Sequence, residues 1–367
     1  MDNKLCWSSN CALAATITTD RCQLWRADKP IRFQHQLGQR ADGGGRSLHE
    51  SFSSRLAAGA NEHAHDRLGL LQRSAVDELS RPLLPLALAV KELFATQFAG
   101  RFRLFRVLQL LVIAYLLVVL AALIFQRRLI YFPTKIPVGV IESVAAEHGF
   151  VPWKNPTGQI IGWKISASGA ATGSVLIVHG NAGCALSRDY LAQPIHDAAS
   201  VNVFILEYPG YGAREGSPGR KNFVAAAEEA FQLLPANSPR YVVSESIGAG
   251  VACELAKNHP VEIAGLALFA PYANLASVAQ KQMPFLPAYF LLLDRFNPAD
   301  CLRHYRGPVK FVVASADEII PSASGRKLFD GYGGPKNLQL IPGAHHNDIA
   351  AQSSEWWRKV FAFWQQK

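Results

Sequence analysis

Between residues 107 and 125 the chain reads VLQLLVIAYLLVVLAALIF, 19 residues without a charge and with Gln109 as the one strongly polar position. At about 1.5 Å per helical residue such a run covers a hydrocarbon layer of about 30 Å. A globular helix of that length would show a polar face, so the pattern predicts a transmembrane helix over 104–126. Beyond it the pattern alternates. GSVLIVHG (173–180), NVFILEYPG (202–210), RYVVSES (240–246), EIAGLALFAP (262–271), PVKFVVASAD (308–317) and NLQLIPGAHH (337–346) read as strands, several of them apolar throughout, as strands covered on both faces are. Helical stretches lie between them, including LSRDYLAQPIHDAA, NFVAAAEEAFQLL, the run after Ser246 and the terminal SEWWRKVFAFWQQ. Strand alternating with helix predicts an α/β class, a mostly parallel, doubly wound sheet with helices on both sides over 129–367. In the last helix Trp357, Val360, Phe361 and Trp364 share one face and are expected in the core, leaving Trp356 and Phe363 off that stripe for a membrane contact.

Residues 1–100 show no sustained period. They are expected to be a disordered extension, or sequence ahead of the true start, with an apolar patch LLPLALAV at 83–90.

Charge adds topology to this picture. The net charge of +9 is concentrated around the apolar run: residues 101–128 hold five arginines and no acid, whereas 129–367 hold 20 basic and 18 acidic residues. That distribution argues against nucleic acid and for a membrane anchor. Five bases (Arg81, Lys91, Arg101, Arg103, Arg106) precede the run and three (Arg127, Arg128, Lys135) follow it, which favours a non-cytoplasmic C-terminal domain. The six cysteines form no C-x-x-C and no spacing that pairs with histidines, so neither a metal nor a cofactor is expected.

Candidate chemistry falls at strand ends. In Ser244-Glu245-Ser246-Ile247-Gly248 a serine follows a β-branched run, flanked two residues away by small side chains, one residue short of the G-x-S-x-G elbow pattern. Asp317 and His346 end two later strands, so the chain order is Ser, Asp, His. A serine hydroxyl needs a base, imidazole supplies one near neutral pH, and a carboxylate fixes the imidazole tautomer. Glu318 competes with Asp317 for the last role, and His345 with His346. The oxyanion would be held by the amide of Ile247 and one from HGNAG (179–183), at Asn181 or Ala182. Glu245 reads as a solvated neighbour of the elbow, His179 as a backbone-bonding residue, and Tyr208 and Tyr211 as packing residues.

HGNAG, EYPGYGAREGSPG, SESIGAG, ADEIIP and GAHHND, in that order, resemble the lid-poor, single-anchor α/β-hydrolases that include protein depalmitoylases and lysophospholipid lipases. The resemblance covers about residues 127–367 and implies the α/β-hydrolase fold, with Ser246, Asp317 and His346 in the triad positions. His346 is favoured over His345 because the family usually reads Gly-His-Asn-Asp, which puts His345 at the glycine position. Ser244 for the first elbow glycine, Pro209 for the usual arginine of the tyrosine-glycine turn, and His345 are departures from that pattern. The expected activity is a membrane-anchored serine hydrolase acting on a carboxylic ester or thioester, its substrate a lipid or an acylated molecule. A non-catalytic binding module and a peptidase of the same fold remain the alternatives. The apolar stretch QKQMPFLPAYFLLLDRF, between the fourth and fifth of the six strands above, is expected to line an acyl pocket or rest on a bilayer.

Overall fold

Helix α1 (Leu83–Ile130) is continuous through the apolar run and begins well before the predicted boundary at 104. The computed structural model describes residues 83–366, with the backbone alone over 83–87 and 93–101. The readings made for residues 1–82 lie outside the described residues. The early start has a local cause: between Leu86 and Ala99 the chain is built of Leu, Ala, Val, Lys, Glu, Phe, Thr and Gln with neither Gly nor Pro, so propensity carries a helix that periodicity does not announce. Phe102–Ile130 is long and apolar enough to cross a membrane. Most of its large apolar side chains, from Phe102 and Leu104 to Leu129, are exposed.

One residue after α1 the chain enters β1 (Phe132–Pro133), then α2 (Val138–Glu147), β2 (Val151–Lys154) and β3 (Ile160–Ile165). Strands β2 and β3 pair antiparallel around a turn in which the Asn155 carboxamide accepts from the amides of Thr157 and Gln159. From β4 (Gly173–Val178) the order is parallel strand and helix: β5 (Ala182–Gly183), α3 (Asp189–Ala198), β6 (Val201–Leu206), α4 (Arg220–Gln232), β7 (Arg240–Glu245), α5 (Gly248–Asn258) and β8 (Ile263–Phe269). Short helices α6 (Leu275–Gln282), α7 (Ala288–Leu291) and α8 (Pro298–Cys301) precede β9 (Val309–Ala314), α9 (Ser322–Gly331), β10 (Lys336–Ile341) and α10 (Ser354–Trp364).

The eight-stranded sheet has the order β10-β9-β8-β7-β4-β6-β3-β2, parallel except where β3 meets β6 and β2. All six strands expected from the sequence are present, and β4 and β7, side by side at the centre, are buried at every position. Helices cover both faces. Leu191, Ile195, Trp357 and Phe361 from α3 and α10 pack on one, and Phe223, Phe231, Leu255 and Leu328 from α4, α5 and α9 on the other. The described cysteines, Cys184, Cys253 and Cys301, are free and buried. The chain turns outward from β4 to β6, then crosses back to β7, so a crevice opens at the carboxyl ends of β4 and β7.

The stripe of α10 is core, as its spacing implies: Trp357, Val360, Phe361 and Trp364 are buried. Trp356, off the stripe, packs beside Phe269 and donates to Gln339 Oε1 at 2.6 Å. Replacing Trp357 by Ala should cost about 3–5 kcal/mol of stability, the range for deleting a fully buried aromatic. Urea unfolding of the detergent-solubilised protein, followed by circular dichroism, measures the difference.

Candidate active site

Strand β7 ends at Glu245 and α5 begins at Gly248, so the reversal from strand to helix is made by Ser246 and Ile247. Ser246 adopts φ +53°, a conformation non-glycine residues rarely take and one that costs of order 1–3 kcal/mol. Its amide donates to Phe269 O, and its carbonyl accepts from the Ala249 amide. The helix then passes so near β4 that a Cβ on Gly248 would collide with the carbonyl oxygens of Val178 and His179. Two residues upstream, Ser244 is fully buried and its hydroxyl donates to Ala267 O at 3.4 Å, so serine fits where glycine is usual.

The loops after β9 and β10 bring the other two groups to this point. His346 Nε2 is 3.0 Å from Ser246 Oγ, and its Nδ1 faces Asp317 at 2.8 and 3.0 Å to the two carboxylate oxygens. Asp317 is held in turn by the amides of Ile319 and Ile320, which donate to Oδ1 at 2.9 and 2.7 Å. The neighbouring pair stands apart from this line: His345 Nδ1 lies 3.3 Å from Glu318 Oε2 on the rim. Side-chain exposure separates the pairs, 6% and 2% for His346 and Asp317 against 62% and 56% for His345 and Glu318. Only the buried pair reaches Ser246.

Across the crevice lies the loop after β4. Among the described residues the Ile247 amide has no acceptor, as a donor held for a ligand oxygen requires. Asn181 and Ala182 are shaped from outside: the Asn181 side chain donates to Ile130 O at the end of α1, the main-chain carbonyl of Asn181 accepts from Tyr211 Oη at 2.7 Å, and Ala182 and Gly183 pair with Phe132 and Pro133. The Asn181 carboxamide is therefore engaged in structure.

Beneath the loop is a buried network that the sequence reading missed. Glu245, expected in solvent, is buried and ion-paired to Arg188 Nε at 3.1 Å, and it accepts from Tyr190 Oη at 2.8 Å. Gly180 and Gly183 close over the same guanidinium, where side chains would meet it. Arg188 thus braces the loop of Asn181 and Ala182 against the residue preceding Ser246. Charge within an apolar helical stretch such as LSRDYLAQ was the one available signal, and it does not identify a partner 57 positions away. His179 bonds Gly180 O through Nδ1 at 2.7 Å, and burial holds its pKa well below the usual imidazole range. Tyr208 and Tyr211 pack with Phe223, Tyr208 by stacking.

A family model described as Serine aminopeptidase, S33, matches residues 169–299. An uncharacterized protein of Mycobacterium tuberculosis is 34% identical over 230 residues, covering 61% of this chain and 81% of that protein. A lysophosphatidylserine lipase of Macaca fascicularis is 26% identical over 216 residues, covering 53% of either chain. Among solved structures, a monoacylglycerol lipase of Paleococcus ferrophilus aligns with a TM-score of 0.43 and 18% identity over 55% of this chain and 96% of its own.

Glu207 provides a test of how dry this region is. Burial raises its carboxyl to about 8, against an opposing hydrogen bond from the Ala185 amide. The folded chain therefore holds a proton that the unfolded chain has released above the ordinary 4.5. The associated stability is complete below that value and is lost as pH rises through about 8. Glu207→Gln should flatten this fall, so its melting temperature should gain on the wild type with rising pH. Parallel slopes in melts recorded across that range would show Glu207 ionised at ordinary acidity.

Proposed function

We propose that this chain, which belongs to the α/β-hydrolase family, is a membrane-anchored serine hydrolase that cleaves carboxylic esters or thioesters of lipid or acylated substrates through an acyl-enzyme. The observation that carries the reading is the buried line Ser246–His346–Asp317 at the crevice between β4 and β7. The lipase among its relatives supports an acyl substrate. The family model, described as an aminopeptidase, supports an amide as the second reading.

In the proposed cycle His346 Nε2 removes the Ser246 hydroxyl proton as Oγ bonds to the substrate carbonyl carbon. The imidazolium that forms is stabilised by Asp317, which also fixes the tautomer. Negative charge gathers on the carbonyl oxygen, held by the Ile247 amide and by a backbone amide of Asn181 or Ala182. Collapse breaks the bond to the leaving group, which takes the proton from His346. Water then adds to the acyl carbon with His346 again as base, releasing the acid and restoring the serine. The pairing of Ala182 with β1 and the position of Ile247 at the elbow support this reading of the oxyanion donors. No metal or cofactor enters this scheme.

Membrane anchoring rests on Phe102–Ile130, and the excess of bases ahead of it supports a hydrolase domain on the non-cytoplasmic side. Cys301 is buried and cannot report sidedness, but Val261, 93% exposed in the loop before β8, can. A Val261→Cys variant in which Cys6, Cys11 and Cys22 are replaced by Ser should react with a membrane-impermeant maleimide on intact cells. Reaction only after permeabilisation would put the domain in the cytoplasm.

Fluorophosphonate should label the wild type and His345→Ala in membranes, and should fail on Ser246→Ala and His346→Ala. Asp317→Asn should lower kcat for a short-chain p-nitrophenyl ester by roughly 10⁴-fold, the loss that follows from a misoriented imidazole. A folded wild type that neither labels nor hydrolyses ester would leave a binding module. Faster turnover of the matched anilide would favour the peptidase reading.

A further inference from the structure

Between α6 and α8 several large apolar side chains are turned out, while Leu292 and Phe296 point into the core. Phe285, Phe290 and Leu293 are 89%, 76% and 65% exposed. The carbonyls among them are taken up by side chains from the protein. Leu286 O accepts from Gln280 Nε2 at 2.9 Å, and Arg295 donates to the oxygens of Tyr289, Phe290 and Leu292 at 3.0, 2.8 and 2.9 Å. The Tyr289 amide donates to Gln280 Oε1, while Pro284 and Pro287 have no amide proton to satisfy. Pairing most of the polar groups of an irregular backbone in this way suits a hydrocarbon environment, where each unpaired amide or carbonyl costs several kcal/mol.

This segment is also clasped to α1. Gln126 donates to Leu291 O at 3.3 Å and accepts from the Leu293 amide at 2.8 Å, and Arg127 forms two bonds to Asp294 at 3.0 and 3.2 Å. Far back along the helix, Tyr115 Oη donates to Phe285 O at 3.1 Å. Tyr115 precedes Arg127 by 12 residues, about 18 Å of helix. With Arg127 and Arg128 at the membrane surface, that depth lies well inside a hydrocarbon layer of about 30 Å. A phenol and a carbonyl so placed have only each other.

We infer that residues 283–293 form a second membrane-embedded element, seated in the acyl layer of the same bilayer that α1 spans, so that lipid ester substrate reaches Ser246 sideways from that leaflet. This rests on the membrane-spanning reading of α1. The occupant of the exposed apolar face is the hydrocarbon layer, because the face is continuous with the apolar surface of α1 and held at its depth. The segment also borders the site: Gln282 Nε2, at the end of α6, donates at 2.8 Å to the oxygens of both Glu318 and Ile319, the residues after Asp317. Ile319, 43% exposed, extends the apolar edge to the rim. An acyl chain leaving the leaflet along this edge arrives beside the triad without crossing water.

The test is photo-cross-linking of the full chain in dioleoylphosphatidylcholine vesicles, with p-benzoylphenylalanine placed singly at Phe285, Phe290, Leu116 or Val261. Fluorophosphonate labelling of each variant reports on the hydrolase reading separately. Lipid adducts by mass spectrometry at positions 285 and 290 as at 116, with none at 261, are expected. Adducts at 116 but not at 285 or 290 would overturn the inference and leave α1 in the membrane. Absence at 116 would remove the spanning reading and this inference with it.

Discussion

The close approach of α5 to β4 is the constraint on which the rest of the site depends. Ser246 can stand at the tip of the turn, with the Ile247 amide behind it, only if the helix starts against the carbonyls of Val178 and His179, and that contact excludes any side chain at position 248. A second glycine, Gly250, lets the next turn settle on the Phe296 ring and the Tyr272 hydroxyl. The left-handed backbone at Ser246 is unfavourable locally and persists because β7 lies between β4 and β8, with register fixed on both sides. The geometry at Ser246 is thus held by the centre of the sheet, the part of the molecule least able to relax.

A second constraint is dryness. Arg188, Glu245, Glu207 and His179 all lie under the loop that faces Ser246, and all are buried. Removing such groups from water is expensive, and a buried ion pair recovers that cost only with good geometry and further hydrogen bonds. Here the guanidinium has Glu245, and Glu245 has Tyr190 as well. With these partners the ion pair fixes the loop of Asn181 and Ala182 against the residue preceding Ser246.

The parallel strands could be read from the sequence because burial on both faces leaves uninterrupted apolar runs, and the order of Ser246, Asp317 and His346 followed from where those runs end. Strands β2 and β3 were not read: VPWK is a short, partly exposed edge strand, and IIGWKI, though paired on both sides, is mixed in polarity. Asp317 and Glu318 are adjacent carboxylates in one loop and His345 and His346 adjacent imidazoles; the family resemblance favours His346, but nothing in the local pattern shows which pair becomes enclosed. Burial distinguishes them, and burial is a property of the assembled crevice. Glu245 shows the same limit from the other side: a charged residue beside an elbow looks solvated until the chain returns an arginine to it.

The relation between α1 and the site follows from connectivity. One residue, Tyr131, separates the last turn of α1 from β1. Strand β1 pairs at once with Ala182 and Gly183, the Thr134 amide donates to Gly183 O at 2.9 Å, and the Asn181 side chain reaches back to Ile130. The Gly212 amide, donating to Thr134 O at 2.8 Å, ties in the turn that carries Tyr211. The loop opposite Ser246 is therefore built partly from the chain emerging from the helix, and without that chain its outer edge would lack a partner strand. In a membrane, any tilt or displacement of α1 relative to the sheet would act first on the amides of Asn181 and Ala182. The end of α1 and the loop of Asn181 and Ala182 are thus joined directly, through β1 and the Asn181 side chain.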